Sequence, residues 1–362
     1  MVLELVSFIK KNNFLIFLIF YTPVLVLAET IIDDYRRYDV TKTKFILEKS
    51  AKDLSYPWAL SFIDKTNVVI TEKDGGLYKV DVLSGKKQKI KHNIPHIGYD
   101  GGGQGGLLDV YFNPSDDYIY FTYSHKSSKL TRSKQLSKKS STAIARGRLI
   151  ENEIKDFEIL LIAKPEFLEN RHYGSRIAIK GDDLFVSFGE RGQGMISQDA
   201  SKHPGSIVRI KTDGAIPTDN PRFIKEKDWL PEIYVIGVRN PQGIAVSPHD
   251  DEIYFSSHGP RGGDHIGEVE FGSNYGWKDI AWGGREYYGL SIGDSPFNDK
   301  YKKPLISWVP SMGVSSIQFY EGRAFPEWQG DLLVASLNGE SLIRLDVENN
   351  EIVAKEIIFN DK

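Results

Sequence analysis

The chain has 362 residues, no cysteine and a formal net charge of −3. Lack of cysteine excludes disulfides and thiolate metal sites, and the near-balanced charge argues against a nucleic-acid partner, which needs a basic surface. Hydrophobic residues make up 40%, with 18 Tyr, 19 Phe and 33 Gly, a composition that suits a sizeable core of short strands joined by tight turns.

In chain order, Lys10 and Lys11 precede an apolar run from Phe14 to Ala28. At about 15 residues it is short for a membrane span of roughly 20. It closes on Val26-Leu27-Ala28, with small residues at the positions a signal peptidase reads. The expectation is a signal peptide over 1–28, export to a periplasm, and a mature chain from Glu29 with no stable membrane span.

From Tyr38 to Lys362 the pattern is β. Apolar runs of four to eight residues alternate with Gly, Asp, Asn and Pro clusters. A unit of apolar strand, short Asp/Asn/Gly turn and aromatic strand starts at Trp58, Leu107, Ser175, Gln242 and Ser315, spacings of about 49, 68, 67 and 73 residues. Repeats of this size, each a small antiparallel sheet, predict propeller blades. Five are legible, with a further early strand segment over Lys44–Lys49. The polar, basic stretch Ser124–Arg146 reads as a long solvated hairpin loop inside the second repeat.

One run stands apart. From Gly237 to Trp277 the chain is rich in glycine and in groups able to hold an ion: Arg239, Asn240, His258, Arg261, Asp264, His265 and Asn274. Propellers present functional groups at the mouth of the central channel. Just before the inner strands lie Gln104, His172 with Arg176, Arg239 with Asn240, and Trp308. Four repeats thus offer a polar or aromatic group at an equivalent place, which points to one site.

The motifs GGQGGLLDV (102–110), HYGSR (172–176), GVRNPQG (237–243), HGPRGGD (258–264), NYGW (274–277) and FPEWQGDLLVASL (325–337) resemble those of the soluble glucose/sorbosone dehydrogenase family, and within it the PQQ-dependent aldose sugar dehydrogenases. The resemblance runs from about Tyr56 to Asp346. It implies a six-bladed all-β propeller, with the last blade truncated in this sequence. It also implies oxidation of the C1 hydroxyl of an aldose to a lactone, hydride transfer to PQQ, and an external electron acceptor. His172 matches the family's general base. Gln104, Arg239, Asn240, His258, Asp264 and Trp308 fall at cofactor-binding places. The carbonyls of Gly259, Pro260 and Tyr275 fall at places that hold Ca²⁺.

Three departures accompany the resemblance. His265 stands where the family carries a glutamate that helps bind calcium, and imidazole is a poor calcium ligand. Asn338 stands where the family carries a lysine facing PQQ. The sequence stops at Lys362, before an arginine-bearing strand and a final strand pair. They leave open a catalytically weak propeller that serves as a binding module. A metal-dependent hydrolase would instead want several inward carboxylates around one ion.

Overall fold

The computed structural model describes residues 9–11, 14–16, 31–127, 129, 138–293, 296–348 and 351–360. Most of the signal-peptide expectation therefore lies outside the described residues. Within residues 1–30, a unit by itself, the strands Ile9–Lys11 and Phe14–Ile16 pair antiparallel. No described helix is long and apolar enough to cross a membrane.

The compact unit Ile31–Lys362 is all-β, built from five sheets that follow one another along the chain. Blade 1 comprises Pro57–Phe62, Asn67–Glu72, Leu77–Asp81 and Lys87–Lys89. Blade 2 runs through Leu107–Asn113, Tyr118–Lys126, Ser140–Ile150 and Glu153–Ile162. Blade 3 uses Ile177–Lys180, Asp183–Phe188, Ser206–Lys211 and Ile233–Ile236. Blade 4 uses Pro241–Val246, Ile253–Ser257, Asp264–Glu268 and Ile306–Trp308, and blade 5 Val314–Phe319, Leu332–Ser336, Ser341–Glu348 and Glu351–Asn360. Each is an antiparallel meander with its first strand at one edge and its fourth toward the other.

The expectation of six blades is corrected to five. The early segment Lys44–Lys49 is not a strand, and Ile46 and Leu47 in it are exposed. Instead, two earlier pieces add to existing sheets. Ile32–Asp33 pairs in parallel with Ser307 and Trp308 on blade 4, and Asp39–Val40 pairs in parallel with Glu356 and Ile357 on blade 5. Each covers two residues of an outer edge, which shortens the stretch open to edge-to-edge association. The loop expected over Ser124–Arg146 is shorter than its composition suggests. Ser124 to Lys126 and Ser140 to Arg146 belong to paired strands of blade 2, and Ala143, Ile144 and Ala145 are buried.

Successive blades are joined in two ways. Apolar clusters fill the spaces between blades 1 and 2, 2 and 3, 3 and 4, and 4 and 5. Among the described residues, no such cluster joins blade 5 to blade 1, and Leu60 and Phe62 on the inner strand of blade 1 stay 57% and 55% exposed. The second tie is a repeated hydroxyl. Thr71 donates to Leu108 O, Thr122 to Ser175 O, Ser187 to Pro241 O and Ser256 to Ser315 O. Each sits on the second strand of one blade and grips the start of the next. The corresponding place in blade 5 is Ala335, which has no hydroxyl to offer. Near the centre, Arg176 donates to Asp109 of blade 2 and to Gln242 O of blade 4 while its guanidinium lies 4.1 Å from the Trp58 ring centroid of blade 1.

Candidate active site

The blade 2–3 connection delivers His172. Its backbone is left-handed (φ 53°), an unusual state for a side chain this bulky. Gln104 holds it there: its Oε1 accepts the His172 N–H at 2.6 Å. The carbonyl of His172 accepts from Arg191 N at 3.3 Å. The end of blade 3 approaches so closely that a Cβ on Gly189 would meet His172 O at 2.2 Å, so only glycine fits there. Directly after Gly189, Glu190 turns in and its carboxylate meets His172 Nδ1. Its other oxygen accepts from Gly194 N.

The protonation states follow. Burial pushes the His172 imidazole below its ordinary pKa, with Arg239 adding to the effect and Glu190 opposing it. Glu190 is held below the usual carboxylate range: burial opposes ionisation, but the hydrogen bond and charge of His172, the Gly194 amide and Arg239 outweigh it. An ionised carboxylate can only accept, so Nδ1 carries the proton and Nε2 presents a lone pair. Among the described residues Nε2 has no hydrogen-bond partner. Glu190 was not singled out in the sequence. The only local signal was a charged Glu-Arg pair between glycines at the end of a buried strand.

The RNP segment meets this pair. Glu190 N donates to Arg239 O at 2.8 Å, and Asn240 Oδ1 accepts from Gly174 N at 3.1 Å. Arg239 is 6% exposed, and its guanidinium donates to His258 O, Gly259 O and the Tyr287 hydroxyl and lies 5.3 Å from the Trp277 ring centroid. Among the described residues it has no carboxylate in ion-pair contact; a buried cation in that state is costly unless an anion joins it. His258 follows in space. Burial pulls it down to about 4, with Arg239 and His172 pushing the same way and Asp264 opposing. His172, Glu190, Arg239, Asn240, His258 and Gln104 are thus brought together.

Two expected cofactor residues are already engaged by the protein. Trp308 is fully buried in the core between blades 4 and 5 and donates its indole N–H to Tyr38, 2.7 Å away, so it offers no face to a ligand. Asp264 is also fully buried, and its carboxylate accepts from the amides of Gly259, Gly313 and Val314 and from the Ser311 hydroxyl. It organises loops of blades 4 and 5.

His258 lines a mouth of about 900 Å³, together with Arg36, Arg261, Arg285, Tyr287 and Asn338 among others. Among the described residues no Asp or Glu lines it. That size suits a cofactor plus a small substrate. A buried arginine lacking a counter-anion, below a mouth free of carboxylates, fits an anionic planar cofactor such as PQQ.

The same residues do not fit calcium. Gly259 O already accepts from the Arg239 guanidinium at 3.2 Å, and Tyr275 O accepts from the Trp282 indole at 3.0 Å. His265 is neutral by burial, bonded through Nδ1 to Gly263 O at 2.9 Å, and stacked 6.0 Å from Tyr275. Calcium takes hard oxygens, carboxylates above all, and the one carboxylate here, Asp264, is saturated. Among the described residues no group of three or more His, Asp or Glu could hold a metal. The calcium expectation at Gly259, Pro260 and Tyr275 thus finds no supporting carboxylate among the described residues.

Comparison with known proteins agrees with the fold. Residues 54–362 match the family model described as Glucose / Sorbosone dehydrogenase. The chain is 33% identical over 318 residues to the aldose sugar dehydrogenase YliI of Escherichia coli (strain K12), covering 85% of this chain and 82% of that protein. It superposes on the crystal structure of the soluble aldose sugar dehydrogenase from Escherichia coli in the apo-form with a TM-score of 0.78 at 32% identity, over 87% of this chain and 89% of that one. The PQQ-bound aldose sugar dehydrogenase from Streptomyces coelicolor shares the fold, with a TM-score of 0.69 at 23% identity over 88% of this chain and 85% of that one. A family-model match over residues 54–362 and a relative 33% identical over 85% of the chain show that the chain belongs to the glucose/sorbosone dehydrogenase family of oxidoreductases.

Proposed function

We propose that this protein oxidises the C1 hydroxyl of an aldose to the lactone, with PQQ as cofactor and His172 as general base. The observation that carries the reading is the His172–Glu190 pair beside the buried, carboxylate-free Arg239. The similarity to the YliI aldose sugar dehydrogenase supports the substrate class.

The chain's own residues have distinct tasks. Nε2 of His172 takes the hydroxyl proton as the C1–H bond gives up its electron pair. Glu190 holds the imidazole in the tautomer that leaves Nε2 free and stabilises the imidazolium that forms. Gln104 fixes the left-handed backbone that aims the ring. Arg239 supplies a fixed positive charge for a carboxylate or the developing oxyanion, and Asn240 ties blade 3 to the Arg239 strand. A bound PQQ, held by Arg239 and its neighbours, would supply the hydride acceptor for C1, with an external acceptor taking up the electrons. No step is assigned to calcium, because the residues around Gly259 and Tyr275 do not fit it. The basic, apolar N-terminus supports export to a periplasm, which would place the enzyme where sugars enter.

Reconstitution tests the reading. Purified mature chain mixed with PQQ should reduce an artificial electron acceptor in the presence of aldoses. His172→Ala should abolish turnover while PQQ still binds. Absence of PQQ binding at high micromolar concentration would sink the proposal. PQQ binding without turnover on any aldose would favour the binding-module alternative.

A further inference from the structure

The mouth above Arg239 carries an excess of positive charge whose source is partly unexpected. Arg36 comes from the N-terminal strap, remote in sequence from the other lining residues. The strap is held at both ends. Ile32–Asp33 and Asp39–Val40 are strands added to blades 4 and 5. Tyr38 OH donates to Asp33 and receives the Trp308 indole N–H, and Lys355 pairs with Asp33 at 2.8 Å. Between these anchors a short 3₁₀ turn, Tyr35–Arg37, lifts Arg36 to the rim. Asp34 accepts from Arg36 at both carboxylate oxygens and orients it.

Arg261 and Arg285 stand on the same rim, and among the described residues neither has a carboxylate partner. Arg261 donates to Tyr287 O at 3.4 Å, and the Tyr287 hydroxyl receives Arg239 from below. Asn338, where the family resemblance calls for a lysine, lines this mouth too. The cation absent from that wall is thus matched by cations on others. Three guanidiniums line the mouth; with Arg239 against the His258 carbonyl and the Tyr287 hydroxyl beneath it, and less the Asp34 carboxylate, the surplus is three positive charges.

We propose that Arg36, Arg261 and Arg285, with Arg239 beneath them, form a binding site for a planar tricarboxylate, and that the N-terminal strap is therefore part of the cofactor site. The proposal rests on the PQQ reading for the identity of the ligand, but not for the anion chemistry of the rim. Guanidinium forks suit carboxylates in pairs, and among the described residues Arg261 and Arg285 meet no competing carboxylate, whereas Arg36 would share its fork with Asp34. Arg36 and Arg261 are exposed, so each contact is worth less than a buried one and is weakened by salt.

The test is equilibrium binding to the cofactor-free full chain, followed by calorimetry. The ligands are PQQ and benzene-1,2,4-tricarboxylate, a redox-inert probe. The proteins are wild type, Arg36→Gln, Arg261→Gln, the double variant and Arg36→Lys. Each single glutamine variant should weaken binding of both ligands about two- to fivefold, the double variant more, and added salt should narrow the difference. Arg36→Lys should recover part of the loss. Unchanged affinity in the glutamine variants, with folding confirmed by circular dichroism, would overturn the inference while leaving the PQQ reading intact. Binding of the tricarboxylate probe but not PQQ, lost in the variants, would support the rim and overturn the PQQ reading. Binding of neither ligand by wild type would overturn both.

Discussion

The Glu190 carboxylate meets His172 at Nδ1, on the side of the ring away from the nitrogen that has no protein partner. Two residues 18 apart in sequence, one in a strained loop and one at a strand end, make a single proton-handling unit. Everything the site does with a proton depends on this contact, because the carboxylate decides which nitrogen is basic.

Glu190→Ala should therefore lower kcat by about ten- to a hundredfold, in the range that loss of an orienting partner costs. PQQ affinity should stay nearly constant. Glu190→Gln retains an acceptor for Nδ1–H and should lose less. Steady-state kinetics of the reconstituted enzyme beside PQQ titration checks this; equal kcat in Glu190→Ala and wild type would contradict it.

The pH profile follows from the sign of the His172 shift. A base must be neutral to act, and burial lowers the pKa of His172. Activity should persist below the ordinary histidine range, about 6.5, and fall only as the pH drops through the depressed value. Removing the Glu190 charge removes an influence that raises this pKa, so the acid limb of Glu190→Gln should move further down. The acid limb of kcat/KM measures both; a limb above about 6.5 in wild type would be inconsistent with a buried His172 base.

Stability should also respond to acid. His258 and His265 have folded pKa values depressed by burial, His258 to about 4. Below their unfolded values the unfolded chain takes up protons that the folded chain refuses. The stability they contribute is present above about pH 6.5 and is lost as the pH falls toward the folded values, by up to about 1.4 kcal/mol per pH unit for each group. Among the described residues, His265 Nε2 is buried without a hydrogen-bond partner. His265→Phe should fold normally at pH 7 and lose less stability than wild type between pH 7 and 5. Urea unfolding at the two pH values reads the difference; identical pH slopes in the two proteins would refute it.

The hydroxyl ties between blades should be worth measuring singly. Thr122 Oγ1 donates to Ser175 O at 2.6 Å and accepts from Asp109 N at 3.0 Å, both buried. Thr122→Val keeps the shape and orphans both backbone groups, at a cost of about 2 kcal/mol. The chemical-denaturation midpoint gives this directly, and no change would mean that water or relaxation replaces the bonds.

Calcium should leave the fold unaffected. Since Gly259 O, Tyr275 O and Asp264 already have protein partners and His265 replaces a carboxylate, millimolar calcium and a chelator should give melting temperatures equal to within about 1 °C. A rise of several degrees with calcium would show a site the geometry does not provide.

What could be read along the chain was what local pattern encodes. Alternating apolar runs with Asp, Asn and Gly turns specify strands, and their recurrence gave the five blades, because period and turn chemistry act between near neighbours. His172, Arg239 and Asn240 carried a recognisable motif, and the structure brings them to one place. The rest was decided by contacts between distant residues. Tyr38 reaches Trp308 across 270 positions, which turns an expected cofactor face into a core anchor and sets the strap that carries Arg36. Asp264 likewise looked free to bind a ligand, yet its oxygens are taken by amides about 50 residues away. Periodicity determines that a strand forms; only the packed fold determines which polar groups are already satisfied, since hydrogen-bond saturation depends on neighbours that sequence distance does not reveal.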